Sequence, residues 1–210
     1  MNTDATNQPA YAAAPQVNMG KWISQGWDLI FSDIGFYVML GIIYLAMVIV
    51  ASGTGIGGFI VDGPLKVGFF YVLFQRMRGL PATIGDIGKG FNFLIAAIIA
   101  NILIDVFILV GFIFCIIPGI ILTALYLFTF AFIIEKDLDF WAAMEASRNV
   151  IKRHMFEMTI FVILLAIIML LGVLACVVGV LVTTPLCFAA VAFAYKDMVG
   201  LEPAPPAQNL

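Results

Sequence analysis

Charge is what this chain has least of. Asp, Glu, Lys and Arg make up 11% of its 210 residues, against about 25% in an ordinary soluble domain. From Met158 to Tyr195 there is none, and between Lys89 and Glu135 the one acidic or basic side chain is Asp105. Histidine is reduced to His154, which excludes a multi-histidine metal site. Cys115, Cys176 and Cys187 lie in apolar surroundings without metal-type spacing, so they read as small core or lipid-facing residues. The net charge is −3 and no basic cluster is large enough for nucleic acid. The first 19 residues lack the positive start and apolar core of a cleavable signal peptide.

What is present is hydrocarbon: 63% of residues are hydrophobic and the mean hydropathy is +1.11. The two uncharged runs exceed the roughly 20 apolar residues that one crossing requires, so each crosses twice. Backbone polar groups in lipid must pair among themselves, which leaves helices or a closed barrel. Barrel strands would alternate polar and apolar residues, and these runs do not. The expected fold is therefore all-α, a polytopic transmembrane bundle of six spans in three hairpins with interfacial amphipathic helices. Residues 1–19 form a leader and 201–210 a Pro-rich tail, both expected to be disordered. Residues 20–200 form the membrane domain.

Along the chain, residues 21–32 predict a short amphipathic helix with Trp22, Ile23, Trp27, Ile30 and Phe31 facing lipid or core. Spans are expected at about 34–51, 59–75, 91–114, 118–134, 155–178 and 185–196, with a Gly-rich turn at 52–58 and a loop at 85–90. Arg76, Arg78 and Lys89 fall between the second and third spans; Lys136, Arg148, Lys152 and Arg153 fall between the fourth and fifth. The three opposite turns carry no Lys or Arg, so retention of basic loops places both termini in the cytoplasm.

An internal repeat aligns 58–65 with 179–186, matching Pro64 to Pro185, Gly68 to Ala189, Met77 to Met198 and Gly79 to Gly200. Pro118 opens the fourth span in a comparable place. Each unit reads as an amphipathic lead-in, an outward span, a tight turn and a proline-marked return. Pro64, Pro118 and Pro185 are thus expected to break helices. Pro64 and Pro185 either kink a longer helix, freeing the Ile60 and Leu181 carbonyls, or stand first in a shorter one.

Four polar side chains within the spans are candidate binding residues. Asp62 and Lys66 share a helix face, as do Asn101 and Asp105. Counting from the turns places the charged ones in the outer half of the bilayer, where an isolated charge costs about 2.5–3.5 kcal/mol. They form either a packing ion pair or a polar pocket for a solute, ion or lipid headgroup. Residues 137–154 predict an interfacial helix that contacts anionic headgroups through Trp141, Arg148, Lys152 and Arg153, with Asp139 as N-cap. Glycines Gly41, Gly111 and Gly172 allow close helix contact. No catalytic set is visible: Ser147 and His154 lie seven residues apart, and the glycines of 53–58 are followed by Phe59 rather than Gly-Lys-Ser/Thr. Neither metal nor cofactor is implied.

Several segments carry a resemblance: Gly63-Pro64-Leu65 with Gly68, Arg78-Gly79, Ile117-Pro118-Gly119-Ile120, Ala143-Met144-Glu145-Ala146-Ser147-Arg148 and Pro185-Leu186. In these the chain resembles a group of uncharacterised bacterial six-span proteins related to the membrane domain of some glycerophosphodiester phosphodiesterases. The resemblance spans about 27–200. It implies a bacterial cytoplasmic-membrane protein and does not imply phosphodiesterase activity, since the hydrolase of such fusions is a separate domain with acidic metal ligands and histidines. The expected function is non-enzymatic: a structural, envelope-maintenance, partner-binding or lipid-binding role. Membrane lipids, a membrane-protein partner or a second copy are the expected partners. The alternative is a small transporter or channel component with Asp62, Lys66, Asn101 and Asp105 in its pathway.

Overall fold

The computed structural model describes residues 17–55 and 57–202, and of 176–178 the backbone alone. The disordered leader and tail expected from the sequence lie outside the described residues, except at 17–19 and 201–202. No strand occurs among the described residues, and the fold is an all-α helical bundle. Its elements are α1 (Met19–Ser32), α2 (Ile34–Ser52), α3 (Gly57–Met77), a 3₁₀ segment (Ile84–Phe93), α4 (Leu94–Phe114), α5 (Ile116–Leu125) and α6 (Thr129–Lys136). These are followed by α7 (Phe140–Ile151), a 3₁₀ turn (Lys152–His154), α8 (Met155–Leu174) and α9 (Cys176–Met198). Six helical stretches are long and apolar enough to cross a membrane, so the chain is a multi-pass membrane protein.

Short polar residues set the helix starts. Asn18 accepts the Lys21 N–H at 3.0 Å, Asp33 the Phe36 N–H at 3.3 Å and Asp139 the Ala142 N–H at 2.8 Å. Asp33 thereby separates the amphipathic α1 from the apolar α2. On α1, Trp22 and Ile30 are buried, whereas Trp27 and Phe31 are exposed and stack on each other.

Several boundaries differ from expectation. Of the two alternatives at Pro64 and Pro185 the structure has the longer helix, with the prolines inside α3 and α9, and the last helix begins at Cys176 rather than 185. In hydrocarbon a kinked helix forfeits one backbone bond at the proline, whereas a non-helical stretch forfeits several. Pro118 does not break a helix either. It sits in the first turn of α5, where amide protons have no intrahelical acceptor. The break in the fourth span falls instead at 126–128, between α5 and α6. The glycine-rich 85–90 stretch is 3₁₀ rather than loop, opened by Asp86, which accepts from both the backbone N–H and the hydroxyl of Thr83. The fifth span stops at Leu174, short of 178.

Packing follows the repeat in a way that no local pattern shows. Each lead-in element lies along the return helix of the unit before it: the 3₁₀ segment on α3, and α7 on α6. The first lead-in, α1, lies along the last return helix, α9, so the three units close into a ring. Close approach is built into each contact. A Cβ on Gly68 of α3 would overlap the Ile87 carbonyl of the 3₁₀ segment, and one on Gly26 of α1 would stand 3.1 Å from the Ala190 nitrogen of α9. At the third contact Ser147 of α7 bridges the α5–α6 break, accepting the Phe128 N–H at 3.2 Å and donating to the Leu125 carbonyl at 2.7 Å. The amides orphaned by the break are thus partly satisfied from the next unit.

The second span of each unit supplies more of the interior than the first, which is largely exposed. More than half of α3 and α9 is buried, against less than a quarter of α2 and of the spans containing α4 and α8. Tyr195 of α9 gathers Phe74 of α3, Phe128 beside the break and Phe132 of α6, with ring centroids 5.1–5.7 Å apart. Arg78 and Glu135 pair where α3 and α6 end. Gly79 and Gly200, matched by the repeat, both adopt positive φ, 74° and 90°. In the second unit Asp137 takes that conformation at φ 51°.

Candidate functional site

The four polar span residues come together in one chain of contacts. On α3, Asp62 and Lys66 are a helical turn apart and pair at 2.6 Å. The Lys66 ammonium also donates to Asn101 Oδ1 at 2.9 Å, and the Asn101 amide donates to Asp105 Oδ2 at 3.1 Å. At the other end the Tyr44 hydroxyl of α2 donates to Asp62 Oδ1 at 2.7 Å. The path runs Tyr44–Asp62–Lys66–Asn101–Asp105 across α2, α3 and α4.

Glycine at 63 makes this possible. A Cβ there would overlap the Ala97 carbonyl of α4 and stand 3.0 Å from Asn101 Cβ, so α4 could not approach α3 closely enough for Asn101 to bridge. Asn101 is buried, and its amide nitrogen also lies 3.4 Å from the Phe59 carbonyl. The Lys66 nitrogen sits 5.2 Å from the Phe130 ring centroid of α6, a cation–π distance. Tyr44 and Phe130 went unnoticed in the sequence. Each is one aromatic among many in an apolar run, and only the packing singles it out.

A cavity of about 260 Å³ reaches this network. Lys66, Asp105, Ile108, Tyr126, Phe130 and Phe188 are among its walls, which are otherwise mostly apolar. The α5–α6 break supplies Tyr126 and Leu127 to it, so the Ser147 clamp shapes this wall. Asp105 also lines an apolar groove with Phe59, Ile102, Val106 and Leu109, at the border between the interior and the lipid-facing surface of α4. The network holds two carboxylates and one ammonium. Asp62 and Lys66 balance each other, and Asp105 has Asn101 as its hydrogen-bond partner.

The interfacial candidates lie elsewhere. Trp141 and Arg148 are exposed on α7 and, with Phe107, Tyr126, Met144 and Glu145, line a smaller crevice. Lys152 and Arg153 are exposed in the following 3₁₀ turn. The buried face of α7 is Ala143, Met144, Ser147 and Ile151. The three glycines proposed for close contact all serve contacts within the chain. Gly41 faces the Leu181 carbonyl freed by Pro185, Gly111 faces Gly119, and Gly172 faces Thr183. Ser147 is engaged as a backbone clamp rather than placed as a nucleophile. Among the described residues no group of three His, Cys, Asp or Glu side chains is placed to hold a metal.

Comparison of the chain with protein-family models, with curated proteins and with solved structures finds no match.

Proposed function

We propose that this is a non-enzymatic integral membrane protein that binds an amphiphile in the cavity between α3, α4, α6 and α9. The observation that carries the reading is the combination of about 260 Å³ of largely apolar space with a polar end at Lys66 and Asp105. Ligand sites have this form: apolar walls for affinity and a few placed polar groups for orientation. A charged network in hydrocarbon is also more often functional than decorative.

Transport through the same residues is the second reading, supported by the charge network inside the spans. It is the weaker one because Phe74, Phe128, Phe132 and Tyr195 fill the space where the return helices converge. Catalysis lacks support: the Thr123 hydroxyl and the Cys187 thiol in the cavity wall are directed to backbone carbonyls, not to Asp105 or Lys66. In cellular terms the reading extends to a bacterial cytoplasmic membrane with both termini inside. The asymmetry of basic residues supports that orientation, and the segments resembling phosphodiesterase-linked membrane domains support that setting. Trp141, Arg148, Lys152 and Arg153 suit contact with membrane headgroups.

Mass spectrometry of the intact protein, released from mild detergent, tests the binding reading. One firmly held amphiphile per chain is expected, lost when Ile108→Trp fills the cavity in a variant that still melts cooperatively. A protein that holds none, or whose bound amphiphile is indifferent to that substitution, would overturn the reading.

A further inference from the structure

We infer that the cavity selects a cationic amphiphile, chemically a long-chain amine, through Asp105. This deepens the proposed reading of the cavity and rests on it.

The argument is one of unmet valence. The Lys66 ammonium is engaged by Asp62 at 2.6 Å and Asn101 at 2.9 Å and lies over the Phe130 ring. Its charge is matched within its own helix, so an anionic headgroup would have to displace Asp62. Asp62 in turn is met on both oxygens, by Lys66 and by Tyr44. Asp105 differs. One carboxylate oxygen accepts from Asn101, a neutral amide, and no ion pair forms with Asp105 among the described residues. An ionised carboxylate can accept about four hydrogen bonds. When ionised, Asp105 thus presents free acceptors, and a negative charge with no ion-pair partner, to a largely apolar cavity. A half-buried charge facing apolar surroundings is stabilised by a counter-charge.

The rest of the wall fits the same ligand. Tyr126, Phe130 and Phe188 place aromatic rings in the wall, and aromatic π-systems attract cations. The apolar remainder suits an alkyl chain. The lipid-facing groove that shares Asp105 gives such a chain a continuous apolar surface on α4.

The test uses three probes with one chain and different heads: hexadecylamine, hexadecanol and hexadecanoic acid. Each is titrated into the purified full chain in mild detergent, and occupancy is read by mass spectrometry of the intact protein. The amine is expected to bind at least tenfold more tightly than the alcohol, with the acid weakest. In Asp105→Asn the amine should fall to the affinity of the alcohol, while the alcohol is unchanged. As a measurement on the unaltered protein, a hydrophobic carbodiimide should modify Asp105, with the amine protecting and the alcohol not. Equal binding of amine and alcohol, preference for the acid, amine selectivity that survives Asp105→Asn, or absence of protection would each overturn the cationic assignment. Binding of the alcohol in those cases leaves the cavity reading standing; failure of all three probes overturns both.

Discussion

The Tyr44 hydroxyl donates to one oxygen of Asp62 while Lys66 holds the other, so each carboxylate oxygen has a partner, one from α2 and one from α3. Tyr44→Phe is expected to cost about 1.5–3 kcal/mol, the range for a hydrogen bond to a charged group. Lys66→Met should cost more, about 3–5 kcal/mol, because it leaves a carboxylate unpaired. Adding Asp62→Asn to Lys66→Met should recover part of the loss. Thermal melts in detergent measure all three; equal stability of Lys66→Met and the native protein would show that the pair carries no packing role.

Ser147→Ala removes both bonds across the α5–α6 break and leaves the Phe128 amide and Leu125 carbonyl without that partner. About 1–3 kcal/mol of destabilisation is expected for a buried group left unsatisfied. Hydrogen exchange at Phe128 should accelerate before global unfolding does. Unchanged exchange there would refute the clamp.

Two glycines should respond in opposite ways. A Cβ at Gly68 collides with the Ile87 carbonyl, so Gly68→Ala is expected to destabilise strongly by prising the 3₁₀ segment off α3. A Cβ at Gly35 meets nothing within 4 Å, and Gly35→Ala should stabilise α2 by about 0.5–1 kcal/mol. Melting temperatures of the two variants shifted in the same direction would contradict the packing described.

Asp137 holds a left-handed conformation that its repeat counterparts fill with glycine. Asp137→Gly is expected to raise stability by about 1 kcal/mol, the usual penalty for a side chain in that region. A loss of stability would mean that the Asp137 carboxylate contributes more than its backbone strain costs.

Orientation is testable at Cys115, which is exposed at the turn between α4 and α5, whereas Cys187 is partly buried. In a variant carrying Cys176→Ser and Cys187→Ser, a membrane-impermeant maleimide should label Cys115 from outside intact cells. Labelling only after the membrane is opened would invert the proposed topology.

Much of the site was legible as residues but not as a network. Asp62, Lys66, Asn101 and Asp105 stand out because polar side chains are scarce in apolar runs, and helical spacing pairs them within α3 and within α4. That Asn101 bridges the two helices depends on Gly63 admitting α4. Only the packed structure shows Tyr44 and Phe130 as partners. Helix starts were least legible at the prolines. Proline ends a helix in water, where freed groups find solvent, but in hydrocarbon the chain keeps the remaining bonds and continues. Pro118 stands in the first turn of α5, where its missing N–H costs nothing, and the break in the fourth span, at 126–128, is held by a serine from another unit.

Composition and the run lengths of apolar residues were enough to establish six membrane crossings and the all-α class, because the requirement that backbone groups pair inside lipid acts on every residue locally. The repeat, too, could be read directly from matched prolines and glycines. Which unit packs on which could not. The docking of α1 on α9, far apart in sequence, and the filling of the interior by return helices depend on shape and polar matches between distant surfaces. Apolar helices in lipid gain little from burial as such, so close approach at glycines and a few hydrogen bonds select the arrangement. Those contacts become visible once the helices are placed side by side.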